Sequence, residues 1–119
     1  MGVVRSAVWD NGASADTGAV TFGSGVSGVS GVVSPVNSLV GSSTGDLVGG
    51  YDVAALGNGN YVVLTVDWDN GAIANAGAAT FGSGVSGTSG VLSPANSLVG
   101  STAGDQVGSS VVTARRDGN

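Results

Sequence analysis

The sequence predicts an all-β protein of two tandem repeats, each supplying the four short antiparallel strands of a β-propeller blade. Three observations lead there. Residues 9–60 and 68–119 align without a gap at a period of 59 residues, with about two-thirds of positions identical. Glycine occurs 23 times in 119 residues, too often for a helix of ordinary length, and no apolar pattern has helical spacing. Short runs of Val, Leu, Thr, Phe and Tyr alternate with Asn-Gly and Gly-Ser turn signals. The period reaches both ends, so the chain reads as one unit over 1–119, with repeat 1 over 2–60 and repeat 2 over 61–119.

The central copy gives each element its reason. Residues 51–56 alternate loosely and are rich in Val and Ala, which suits a short strand. Gly57-Asn58-Gly59-Asn60 supplies residues that tolerate positive φ, as a tight hairpin requires. Residues 61–67 form the best strand, β-branched and aromatic throughout, and the nearly unbroken apolar run predicts burial on both faces. Trp68-Asp69-Asn70-Gly71 carries a second Asn-Gly turn and opens a loop that runs through Ala76. Residues 77–81 are a third strand, closed by Gly82-Ser83-Gly84. Residues 91–99 are a weaker fourth strand; Pro94 cannot donate to a ladder, so this strand should lie at an edge or carry a break. Residues 101–108 form a polar loop.

Gly77-Ala78-Ala79-Thr80-Phe81-Gly82-Ser83-Gly84, then Ser97-Leu98-Val99-Gly100, then Ala103-Gly104-Asp105-Gln106-Val107-Gly108-Ser109-Ser110-Val111 together resemble the FG-GAP repeat of integrin-α-like β-propellers. The two-copy regularity is also similar to repeat arrays in large bacterial surface proteins. The resemblance implies propeller blades and an extracellular or cell-surface ancestry, although Met1-Gly2-Val3-Val4-Arg5 lacks the order of a signal peptide. The family places an Asp-rich calcium loop between its first two strands. Here that position holds Leu56-Gly57-Asn58-Gly59-Asn60, without a carboxylate, and its terminal counterpart has only Asp117. Calcium needs six to eight oxygens, several from carboxylates, so no metal site is expected.

On the propeller reading, residues 51–100 form a complete blade, while residues 2–41 form a blade without its innermost strand. Bare strand edges attract pairing. The expected solution is head-to-tail homo-oligomerisation, with residues 110–116 of one chain beside residues 2–8 of the next. Val3, Val4, Arg5, Val111, Val112, Arg115 and Arg116 then mark the subunit junction. Propellers hold about 4–8 blades, so a ring of about three or four chains is expected. Arg5 stands where Leu64 stands, and Arg115-Arg116 where Leu56-Gly57 stand; the change to charge fits either a protected edge or simple drift at the termini. The competing architecture is a β-solenoid, for which a 59-residue period is long.

Composition narrows function. The chain has no Lys, Glu, His or Cys, which removes the commonest general bases, thiol nucleophiles and zinc ligands. An enzyme is not expected, nor a cofactor. Three Arg cannot make a strong nucleic-acid surface, and no run of 18 apolar residues is present for a membrane span. Gly23-Ser24-Gly25 and Gly82-Ser83-Gly84 lack the Lys and helix start of a phosphate loop. One binding constellation remains. Trp9, Asp10 and Asn11, and their repeats Trp68, Asp69 and Asn70, can be read as aromatic platforms with polar groups that grip sugar hydroxyls, which makes a glycan-binding (lectin-like or adhesin) module the alternative function. The same residues can be read as a core Trp followed by an Asp-Asn-Gly turn. Asp105 is expected to bind loop amides. The leading expectation is a structural or interaction protein whose partner is itself.

Overall fold

A computed structural model describes residues 2–23, 28–56 and 59–109. Among them every regular element is a strand: β1 (Gly2–Ser6), β2 (Ala19–Gly23), β3 (Ser38–Val40), β4 (Asp52–Ala55), β5 (Tyr61–Thr65), β6 (Ala78–Gly82), β7 (Gly90–Val91) and β8 (Ser97–Val99). They make two four-stranded sheets, ordered β1-β2-β3-β7 and β4-β5-β6-β8. The sheets do not close into a barrel or ring.

The second sheet is antiparallel throughout. β4 meets β5 with Ala55 opposite Tyr61, β5 meets β6 with Val63 opposite Thr80, and β6 meets β8 with Ala79 opposite Leu98. It spans the stretch expected to hold a complete set of four strands. β5 is buried along nearly its whole length, as its apolar run requires. Among the described residues the first sheet has three antiparallel strands of its own, with β1 as an end strand.

One expectation is met here and one needs correction. The run 91–99 carries the break expected from Pro94 and forms two strands, β7 and β8. Pro94 has no N–H to give a ladder, and residues 94–96 turn instead. Asn96 clamps the turn: its Oδ1 accepts the Ser93 N–H at 3.0 Å and its Nδ2 donates to the Val91 carbonyl at 3.1 Å. The first sheet, however, does not stay wholly antiparallel. Released by the turn, β7 leaves its own repeat and pairs in parallel with β3, Leu39 opposite Gly90 and Val40 opposite Val91. Gly90 enters at φ +101°, a conformation other residues rarely adopt.

A single core follows from this crossing. Val20, Leu39 and Val48 of the first repeat pack with Tyr61, Val63, Trp68, Ala78 and Leu92 of the second. Under the sheet surfaces, Thr21 and Ser38 share a hydroxyl hydrogen bond of 2.7 Å, repeated by Thr80 and Ser97 at 2.6 Å. These paired hydroxyls satisfy one another, which lets polar side chains sit beneath β2–β3 and β6–β8 without loss.

Candidate functional site: the junction between the repeats

Each repeat builds the same corner from Trp-Asp-Asn-Gly. Asp10 Oδ1 accepts the Asp16 N–H at 2.9 Å, and Asp69 Oδ1 accepts the Asn75 N–H at 2.9 Å. Asn11 Nδ2 donates to the Gly41 carbonyl at 3.0 Å; Asn70 Nδ2 donates to that of Gly100 at 2.9 Å. The corners therefore hold the β3 and β8 ends against the loop that follows β1 or β5. This is a short polar side chain replacing a backbone turn partner, the ordinary use of Asp and Asn.

A second loop device is Asp46 and its counterpart Asp105. Asp46 Oδ2 accepts the Ser42 and Ser43 N–H groups at 3.1 and 2.9 Å; Asp105 Oδ2 accepts those of Ser101 and Thr102 at the same distances. The loop role expected of Asp105 is what the structure shows. The two then differ. Asp46 Oδ1 also accepts the Asp69 N–H of the next repeat at 3.0 Å, and Asp46 is fully buried, whereas Asp105 is exposed.

That bond is one of several contacts that join repeat 1 to repeat 2 among the described residues. β4, contributed by repeat 1, pairs with β5. β7, contributed by repeat 2, pairs with β3, and the Leu92 N–H extends the ladder to the Val40 carbonyl at 2.9 Å. Phe22 stacks on Tyr61, ring centroids 6.3 Å apart and planes 7° from parallel, a favourable arrangement when offset. Gly87 leaves room for this ring, since a Cβ there would lie 2.5 Å from Phe22 Cβ.

Burial pushes the Asp46 carboxyl up from its ordinary value, against the Ser43, Asp69 and Ser42 N–H groups, which pull it down; the Asp69 carboxylate adds a smaller upward push. A raised folded-state pKa means that the folded chain holds this proton more tightly than the unfolded one. The stability this contributes is fully present below the ordinary carboxylate value and is lost as pH rises through the raised value. Urea unfolding of the native chain and of Asp46→Asn, compared from about pH 7 to about pH 4, should show the difference moving in favour of the native chain as pH falls. A difference that does not change with pH, or moves the other way, contradicts this.

A repeat family, DUF5650, described as a repeat of unknown function, matches residues 3–50 and 55–109. The chain belongs to this family. No curated protein and no solved structure matches it. The two matched segments of the DUF5650 chain correspond to its two repeats, and β4 lies between them except for Ala55.

The residues singled out in the sequence fall in two places in this DUF5650 protein. Trp9-Asp10-Asn11 and Trp68-Asp69-Asn70 lie at the two corners, one per repeat. Trp68 is 3% exposed and belongs to the core, so its ring faces protein, while Trp9 is half-buried. The Trp68 indole N–H has no hydrogen-bond partner among the described residues. Val3, Val4 and Arg5 lie on β1 at the end of the first sheet. Arg5 reaches the Gly49 carbonyl at 3.4 Å and the Asp52 carboxylate at 3.9 Å, an exposed pair of little energetic weight. Val111, Val112, Arg115 and Arg116 lie outside the described residues. No group of three or more acidic, His or Cys side chains suited to a metal occurs among the described residues.

Sequence reading missed β7, Leu92, Gly87 and the Asp46–Asp69 bond. A faint signal was available at positions where the repeats differ: Tyr61 stands where Gly2 stands, and Leu92 where Val33 stands. Both larger residues fill the junction.

Proposed function

We propose that this chain is a structural repeat unit without catalytic activity, a two-blade segment of an FG-GAP-like β-propeller that completes itself by head-to-tail association with further copies. The observation that carries the reading is the two-way exchange at the internal junction. Repeat 1 lends β4 to the second sheet, and repeat 2 lends β7 to the first. A unit built this way is complete only where another repeat adjoins it, which is the logic of repeat proteins in general. The antiparallel order β4-β5-β6-β8 supports the blade assignment, and the end position of β1 supports a missing inner strand. The absence of His, Cys, Lys and Glu from the sequence supports a non-catalytic role.

Solution mass tests it. Light scattering or native mass spectrometry of the full chain over a dilution series should give a discrete species of about three or four chains, which amounts to six or eight blades. A well-folded monomer at all concentrations overturns the reading. Polydisperse particles that grow with concentration overturn the closed ring in favour of an open fibre.

A further inference from the structure

Resting on the reading of the chain as a self-associating repeat, we propose that the free edge of β8 docks residues 31–33 of a second copy, in the way β3 docks residues 90–92 inside the chain. Among the described residues β8 ends its sheet, in the order β4-β5-β6-β8. It is the counterpart of β3, one period later, and β3 is the strand that β7 covers.

Paired positions show the same surface covered in one repeat and open in the other. Leu39 is 0% exposed and Leu98 is 71% exposed. Asp46 is buried and Asp105 exposed; Phe22 is half-buried beneath Tyr61, and Phe81 is 56% exposed. These residue types are identical between repeats, so the difference comes from position in the chain and not from chemistry. Repeat 2 thus presents, uncovered, the face that repeat 1 has covered.

The covering segment has an idle counterpart as well. Leu92 is 1% exposed, whereas its counterpart Val33 is half-buried; Val91, on the ladder, is 43% exposed, whereas its counterpart Val32 is 85% exposed. The idle segment is already shaped for the task. Asn37 Nδ2 donates to the Val32 carbonyl at 3.0 Å, as Asn96 does to Val91 at 3.1 Å, and Asn37 Oδ1 accepts the Ser34 N–H at 3.0 Å, as Asn96 Oδ1 accepts that of Ser93. Gly31 has φ +109°, close to the +101° of Gly90. A Cβ on Gly28 would meet nothing within 4 Å, whereas one on Gly87 would strike Phe22. The space that a Phe81 ring would fill is therefore open beside Gly28.

The second copy is the occupant because it carries each element the internal junction uses. Its Gly31 and Val32 would face Leu98 and Val99, its Val33 N–H would meet the Val99 carbonyl, and its Asp10 N–H would reach the idle Oδ1 side of Asp105. Two features make this contact weaker than the internal one. Gly2 replaces Tyr61, so Phe81 has no ring to stack on, and Val33 is one methylene shorter than Leu92.

Cysteine bridging tests it, and the native chain has no Cys to interfere. Val99→Cys is mixed with Val32→Cys or, as the control, with Val36→Cys, whose position is 88% exposed but off the proposed ladder. Bridging to position 32 should be at least about tenfold faster than to position 36, because proximity and geometry favour only the first. In a second arm, Leu98→Asp should leave the circular dichroism spectrum intact and move association to at least about tenfold higher concentration, since it buries a charge in the docked edge. Association of the native chain with equal bridging at both positions and no effect of Leu98→Asp overturns this docking mode while leaving self-association standing. A native chain that stays monomeric overturns both.

Discussion

Gly77→Ala is expected to abolish folding of the chain at ordinary temperature. Gly77 has φ +77°, and an ideal Cβ there would lie 2.2 Å from the Val107 nitrogen, 2.6 Å from the Gln106 carbonyl carbon and 2.7 Å from the Val107 oxygen. All three are backbone atoms, so no side chain can rotate away. The same residue ties the corner together: its N–H donates to the Trp68 carbonyl at 2.9 Å, and its carbonyl accepts the Gly100 N–H at 3.2 Å. Moving the backbone to admit a methyl group would break that corner and the adjoining Val107–Ala76 hydrogen bond. The left-handed conformation alone costs an L-residue about 1–2 kcal/mol. With the clash, the total should exceed about 4 kcal/mol, a large part of the stability of a small domain. Gly71→Ala is the control. Gly71 has φ +61° with nothing within 4 Å of an added Cβ, so only the conformational cost of about 1–2 kcal/mol applies. Urea unfolding followed by tryptophan fluorescence separates the two; similar midpoints for both variants would refute the close backbone approach. Gly18, with φ +76° and a built Cβ 2.3 Å from the Val48 nitrogen, should behave as Gly77 does.

The contrast between Gly77 and Gly71 also shows what the sequence could reveal. Gly71 sits in an Asn-Gly pair, a turn signal that can be read directly. Gly77 gives no such signal, because its need for a bare Cα comes from residues thirty positions further along. The strands whose character is local were legible: β5 from its apolar run, the antiparallel return of β4 onto β5, and the break at Pro94, while Gly57 and Asn58 of the expected turn lie outside the described residues. The crossing of β7 was not. Val91 and Leu92 are flanked by Gly90 and Ser93 as Val32 and Val33 are by Gly31 and Ser34, yet the first pair enters the other repeat's sheet and buries Leu92, while Val32 stays exposed. Local sequence cannot separate two copies of a segment whose surroundings differ only in what comes before and after. Trp68 illustrates the same limit. Trp-Asp-Asn-Gly reads equally as a sugar platform or a packed corner, and its burial is decided by a neighbouring repeat that covers Trp68 more fully than Trp9.

That positional difference yields a prediction from two identical residues. Leu39→Ala should cost about 2–5 kcal/mol, the usual range for a buried Leu whose cavity collapses incompletely. Leu39 is fully buried between β2 and β7, opposite Val20 on one side and Gly90 on the other, and is part of the core shared by both repeats. Leu98→Ala removes the same atoms from the same position of the other repeat. At high dilution it should change unfolding by no more than about 0.5 kcal/mol, because most of that side chain already meets water. The pair is thus a measurement of what the neighbouring repeat contributes, with sequence held constant. Raising protein concentration should then separate them differently. Leu98→Ala should lose the concentration-dependent gain in stability that association gives the native chain, whereas Leu39→Ala, once its fixed penalty is subtracted, should keep it. If Leu98→Ala costs as much as Leu39→Ala even at high dilution, the β8 edge is already covered within one chain, and the asymmetry between the repeats is not the source of assembly.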